Sequence, residues 1–239
     1  KRFKNQGELV MDNIIGGVSS DVLGMLGDLC GKLKHGSITP EELEEFVNRR
    51  NPFESRREVL VQWEALYREF GIAADLTGLR IPAKRRGFDR LIVVPRGIKI
   101  QQAYNACAST FPCWKWTGED LDAVVSENDR DPNRDGAYAV WMRERAEADE
   151  EWKNKSANQL RERKILTITL LERLLYELKF FKETGRHLDI ANVTLCSGSR
   201  FRDGRVPDVS FDEFSGEVRV LWCDPGDADG VLRSREVVS

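Results

Sequence analysis

The apolar residues of this 239-residue chain change their period once, near Leu188, and that change limits what the chain can become. Before it they recur at three- and four-residue spacings, as on one face of a helix; after it they alternate. The clearest helical stretch comes just before the change. Over Leu170–Glu183, the side chains of Leu171, Leu174, Leu175, Leu178 and Phe181 share a face, Thr167 or Thr169 supplies an N-cap, and Gly185 a stop. Beyond Leu188, Val193 and Leu195, then Val206 and Val209, then Val218, Val220 and Trp222 are separated by turn signals at Asp203-Gly204, Ser215-Gly216 and Pro225-Gly226. This pattern predicts three or four short antiparallel strands.

Upstream, residues 8–34 read as a helix weakened by Gly16, Gly17, Gly24 and Gly27. Thr39-Pro40-Glu41-Glu42 carries a capping box with proline at the first helical position, opening a helix to about Arg49. Ser55 opens another to Phe70, with Val59, Leu60, Trp63, Leu66, Tyr67 and Phe70 at helical spacing. Leu91–Val94 has the β-branched character of a buried strand. Helices are expected over Ile100–Ala108, from Thr117 to about Glu127 and over Ala137–Lys153, and Ser156 with Gln159 reads as a further cap. The predicted fold is therefore α+β. A mostly helical N-terminal and central body, divided into residues 1–78 and 79–185, carries a small antiparallel β module, residues 186–239, docked on the Leu170–Glu183 helix.

Composition excludes several function classes. With 41% hydrophobic and 32% charged residues the chain is of the globular kind and long enough for a real core. No apolar stretch approaches the roughly 20 residues that span a bilayer, and no signal-peptide pattern follows Lys1-Arg2-Phe3-Lys4. Five cysteines, an odd number without repeated spacing, suit a reducing, cytoplasmic compartment better than a disulfide framework. Two histidines, His35 and His187, leave little for metal binding or general-base chemistry. Net charge is −3, and residues 187–239 hold ten acidic residues against six arginines. Nucleic acid is therefore not a favoured partner.

Each motif with chemical promise has a plainer reading. Asp131-Pro132-Asn133-Arg134-Asp135-Gly136 resembles half a calcium loop, but Met142 stands where the bidentate Glu belongs, so a turn is expected. Cys107 and Cys113 lack a second pair for zinc, and Cys113 lacks a base. Arg80, Lys84, Arg85, Arg86 and Arg90 could touch phosphates, which makes a nucleic-acid-associated protein the alternative reading. Glu172, Glu177 and Asp189 read as solvated-face carboxylates. No catalytic residue, metal ligand or cofactor site is assigned, and the chain reads as a binding protein, not an enzyme.

The tail offers the best candidate surface. Val206, Val218, Val220 and Trp222 form the expected inward set, and Asp208, Ser210, Asp212, Arg219, Leu221 and Cys223 the outward one. The outer face of an antiparallel sheet can vary without disturbing the core. With the adjoining turns, this gives Arg200, Phe201, Asp208, Ser210, Asp212, Arg219, Leu221, Asp224 and Asp227 as expected contacts for a protein or other ligand.

Gly185-Arg186-His187-Leu188-Asp189-Ile190, Leu195-Cys196-Ser197-Gly198-Ser199-Arg200, Asp203-Gly204-Arg205-Val206-Pro207, Leu232-Arg233-Ser234-Arg235 and the terminal Val238-Ser239, with Thr39–Phe53 and Leu91–Trp116, resemble an uncharacterised family of candidate-phyla bacteria with a variable C-terminal tail. The Gly-Ser-Arg turn and the short strands after it are also similar to C-type-lectin-like modules, such as those of the variable proteins of diversity-generating retroelements. That resemblance implies ligand display by the last 45 or so residues. The chain departs from the lectin-like pattern in having no Gly-Gly-Ser-Trp run and no Asn-rich stretch.

Overall fold

The computed structural model describes residues 20–47 and 52–239, and the chain divides after Phe53 into two units. In the first, α1 (Ser20–Lys34) and α2 (Pro40–Val47) are helices. The expected box opens α2: Glu42 N–H donates to Thr39 Oγ1 at 3.1 Å, and Thr39 N–H to Glu42 Oε2 at 2.9 Å. Residues 8–19 of the helix expected before it, and residues 48–49 at the end of α2, lie outside the described residues.

The second unit begins in α3 (Pro52–Glu69) and continues with β1 (Arg90–Val94). The apolar spacing of α3 places Trp63 and Tyr67 on one buried face. Trp63 Nε1 donates to the Leu91 carbonyl at 3.2 Å, and the Tyr67 hydroxyl donates to that of Val93. The helix is thereby fastened to the strand. There follow α4 (Ile100–Ala108), β2 (Cys113–Lys115), α5 (Leu121–Val124), β3 (Val125–Asn128), β4 (Tyr138–Met142) and α6 (Ala157–Glu162). The chain closes with α7 (Leu170–Thr184), β5 (Val193–Leu195), β6 (Ser199–Phe201), β7 (Val206–Asp212), β8 (Glu217–Cys223), β9 (Leu232–Ser234) and β10 (Val237–Val238).

Two of the expected helices are different in the structure. Ala137–Lys153 contains β4, which pairs antiparallel with β1, Leu91 opposite Trp141 and Val93 opposite Ala139. Its Ala, Arg and Glu content favours a helix locally, but burying Val140, Trp141 and Met142 against the Leu91–Val94 run outweighs a propensity of tenths of a kcal/mol per residue. The helix expected to reach Glu127 ends at Val124 and passes into β3, which pairs with β6.

The expected fold class, a mostly helical body with a separate antiparallel C-terminal module, is overturned by the strand order. The sheets are β1-β4-β10, β2-β8-β7-β5-β9 and β3-β6, so each one joins strands from both sides of the 185/186 boundary. The five-stranded sheet is mixed: β2 runs parallel to β8, and β5 parallel to β9. Helices dominate the N-terminal part and most strands lie in the C-terminal half, but from β1 onward the two kinds of element interleave.

The buried side of α7 was expected to be its apolar stripe alone. The helix is instead enclosed from Leu170 to Phe180, Glu172, Arg173 and Glu177 included. Glu172, Glu177 and Asp189 are thus not solvated-face carboxylates. Arg173 donates to Glu177 Oε2 at 2.7 Å and to Asp189 Oδ2 at 3.0 Å. Arg235 donates to Asp189 Oδ1 at 2.7 Å, to Thr194 Oγ1 at 3.1 Å and to the carbonyls of Arg145 and Ala146. Glu177 also faces His187 Nδ1 at 2.9 Å, and Glu172 clamps Arg130 through two hydrogen bonds. Burial works against the charge on Arg173, but Asp189 and Glu177 outweigh it and hold its pKa above the ordinary value. We expect Arg235→Ala, which strips Asp189 of one guanidinium, to cost about 3–5 kcal/mol in urea denaturation. Arg186→Ala, at an exposed position two residues past α7, should change stability by less than about 0.5 kcal/mol.

Candidate functional site

The five-stranded sheet has an inner and an outer face, and only part of the outer one is covered. On the inner face Val209 of β7 and Val218 and Val220 of β8 join the main core, with Phe211 packed against it. His187 stacks on Phe211 with ring centres 4.0 Å apart. On the outer face Val206, Leu195, Leu232 and Cys223 form a second small cluster with Ala157 of α6. The segment carrying α6 is tied down by Asn154 N–H to the Leu232 carbonyl and Asn158 N–H to that of Pro225. The other half of this face, toward the β7–β8 turn and β2, leaves Ser210, Asp212, Arg219 and Leu221 half-buried and Trp114 40% exposed.

The expected alternation therefore needs correcting in β7 and at the end of β8. Val206 shares the side of Asp208 and belongs to the outer cluster, while Val209 and Phe211 point inward. Cys223, expected outward and solvated, is buried in the outer cluster, and Trp222, expected inward, is 42% exposed at the strand end. The burial of Val206 and Cys223 has one cause, which does not extend to Trp222 opposite Pro207. The sheet is covered on both faces at the β5–β9 end, so apolar residues there are buried at either parity.

The nine expected contact residues separate into two groups. Ser210, Asp212, Arg219 and Leu221 lie together on the uncovered part of the outer face, and Asp224 and Asp227 are solvent-accessible in the turn after β8. Asp227 accepts the N–H of Asp224 at 3.0 Å, and Asp212 accepts from Arg219 at 3.1 Å. Arg200, Phe201 and Asp208 are buried. Phe201 packs edge-on against Trp116 at 5.4 Å. Arg200 donates from Nη1 to the carbonyls of Ser197 and Ser199 while Nη2 is buried without a partner, and burial, helped by Arg161, lowers its pKa. This turn lies hard against the start of α7. A Cβ on Gly198 would come within 2.7 Å of the Thr167 carbonyl oxygen, so only glycine fits there.

Sequence reasoning missed the aromatic partners of this surface. The Arg219 guanidinium lies 5.0 Å from the Trp114 ring. Arg205 stands 3.7 Å from Trp222 and 5.0 Å from Trp116, but this group lies at the strand end on the other side of the sheet, where Trp222 sits opposite Pro207 and Trp116 packs on Phe201. At the β7–β8 turn Phe214 is fully exposed. The alternation of Trp114 and Trp116 about Lys115 is a strand signal that could have located β2.

The other candidates from sequence carry less. Arg85 pairs with Glu236 at 2.5 Å, Lys84 with Asp89 at 2.8 Å, and Arg90 with Glu144 and Glu183, so three of the five clustered cations are neutralised internally. Burial, then the charges of Glu177 and Glu217, push the Cys113 thiol up to about 12, far from the thiolate a nucleophile needs. Asp131 and Asp135 turn their carboxylates back on the loop, to Asn133 N–H and Asp131 N–H. A cavity of about 460 Å³ between this loop and the start of α4 is polar, and Asp122 already accepts the Ile100 and Gln101 amides at that helix end. Among the described residues no three His, Cys, Asp or Glu side chains are grouped to hold a metal ion, and no helix is long and apolar enough to cross a membrane. Comparison with protein-family models, curated proteins and solved structures finds no match to this chain.

Asp208 is the chemically unusual member of the face. It is 5% exposed, lies opposite Leu195 on one side and Leu221 on the other, and burial alone raises its pKa from 3.8 to about 7. Between about pH 4 and pH 7 the folded chain therefore keeps a proton that the unfolded chain has lost. The contribution of this group to stability falls as pH rises through that window, and the full penalty remains above it. Asp208→Asn should flatten this part of the pH–stability curve and stabilise the protein at pH 8 by up to about 4 kcal/mol. Urea denaturation at pH 4.5 and 8 checks this.

Proposed function

We propose that this is a non-enzymatic recognition protein, holding a protein or other ligand on the uncovered half of the outer sheet face and the turns beside it. The carrying observation is the separation of scaffold from surface. α7 and the Arg173–Asp189–Arg235 ions fix the inner face, while Ser210, Asp212, Arg219 and Leu221 of the same strands have their side chains toward solvent. Trp114, beside Arg219, supplies the large amphipathic contact that binding hot spots favour, and Asp224 and Asp227 form a polar rim. The likeness of the tail to lectin-like variable modules belongs to the same reading, with a scaffold that extends beyond the tail. In the same proposal the protein works in the cytoplasm, where its five unpaired cysteines stay reduced.

The nucleic-acid alternative ranks lower because the Arg80–Arg90 cations are largely spent on internal carboxylates. The test is affinity capture, identification of the ligand, and titration calorimetry with the purified ligand. The triple variant Asp212→Ala/Arg219→Ala/Leu221→Ala should weaken binding at least about tenfold with unchanged folding. Binding that survives this variant, or that weakens steeply with salt toward DNA or RNA instead, would sink the proposal.

A further inference from the structure

The two edges of the five-stranded sheet are finished differently. At β9 the outward carbonyls of Leu232 and Ser234 accept the N–H groups of Asn154 and Asp149, both at 3.1 Å, so that edge is sealed by the chain itself. At β2 nothing comparable happens. The Pro112 carbonyl accepts Val218 N–H at 3.0 Å, and Trp116 N–H donates to the Val220 carbonyl at 3.1 Å. Even-numbered residues here turn their backbone groups toward β8, so Cys113 and Lys115 turn theirs away. Beyond them the sheet has no further strand, and among the described residues no hydrogen bond engages those outward groups.

We propose that β2 is a self-association strand, pairing antiparallel with β2 of a second copy about a two-fold axis through Trp114. The free groups flank Trp114 symmetrically, which makes the strand its own complement. In this register Cys113 faces the partner's Lys115 and Lys115 the partner's Cys113, each pair exchanging two backbone hydrogen bonds. No like charges stand directly opposite, and Lys115 Nζ is already turned to its own Glu119 carbonyl. Trp114 meets the partner's Trp114 as the close, non-hydrogen-bonded pair, which buries the indoles now exposed on the outer face. Because the β9 edge is sealed, this pairing closes at a dimer with a continuous ten-stranded sheet and does not propagate. The pairing shares Trp114 with the proposed recognition face and sets a second copy of that face beside the first.

Sedimentation velocity of the full chain from about 1 to 200 μM tests it. We expect a monomer–dimer equilibrium with a dissociation constant on the order of 10 μM, since four hydrogen bonds and two indoles must offset the cost of association. Trp114→Asp, a change at an exposed side chain that sets two carboxylates opposite one another, should weaken it at least about tenfold. Lys115→Pro, which removes an outward N–H, should do the same, with circular dichroism confirming the fold. Phe214→Ser, at the exposed hairpin tip, should leave it unchanged. A wild-type monomer at 200 μM, a dimer as tight in both strand variants as in wild type, or one dispersed by Phe214→Ser alone, would each overturn the proposal.

Discussion

The Arg173–Glu177–Asp189–Arg235 cluster is the constraint on which the rest of the second unit depends. Two guanidinium groups and two carboxylates sit where no solvent reaches them, and each partner is tolerable only while the others are in place. Because Arg173 and Glu177 belong to α7, Asp189 to the turn after it and Arg235 to the C-terminal segment, satisfying the charges fixes where the chain end must lie. Arg235 also takes the Arg145 and Ala146 carbonyls, so the loop after β4 is drawn into the same arrangement. Apolar residues of similar size would pack as well, but a hydrophobic contact does not specify its partner's direction as a guanidinium does.

From that fixed point the sheet follows. Thr194 joins the cluster through Asp189 and Arg235, which sets β5, and β5 sets β7 on one side and β9 on the other. The covered half of the outer face is the consequence of tying residues 149–158 across β9 and the turn after β8. The uncovered half is what remains, and it is there that Trp114 and Arg219 meet without a core to fill. Rigidity on one side and chemical freedom on the other arise from the same strands.

Much of the local structure was legible in the residues. Thr169, Glu172 and Gly185 bound α7 as their capping chemistry requires, and Ser156 with Gln159 opens α6. The turns at Asp203-Gly204 and Ser215-Gly216 fall between strands as read. The errors lie where local preference and tertiary context disagree. Tyr138–Met142 has helix-favouring neighbours and becomes a strand because Leu91–Val94 needs a partner, and Glu172 has a surface residue's character but a buried residue's place. On the candidate face, Ser210, Asp212, Arg219 and Leu221 could be placed by parity, whereas Asp208 could not. Parity names a face and says nothing about what covers it.

The sequence by itself determined the caps of α2, α6 and α7 and the turn between β7 and β8, since caps, stops and turns are set by interactions a few residues apart. Only the tertiary structure decided which strands share a sheet, that β2 and β10 are claimed by partners more than 90 residues away, and which outward positions stay uncovered. Those outcomes depend on pairing energies between distant segments and on burying charges in mutual contact, and no short window of sequence contains both members of such a pair.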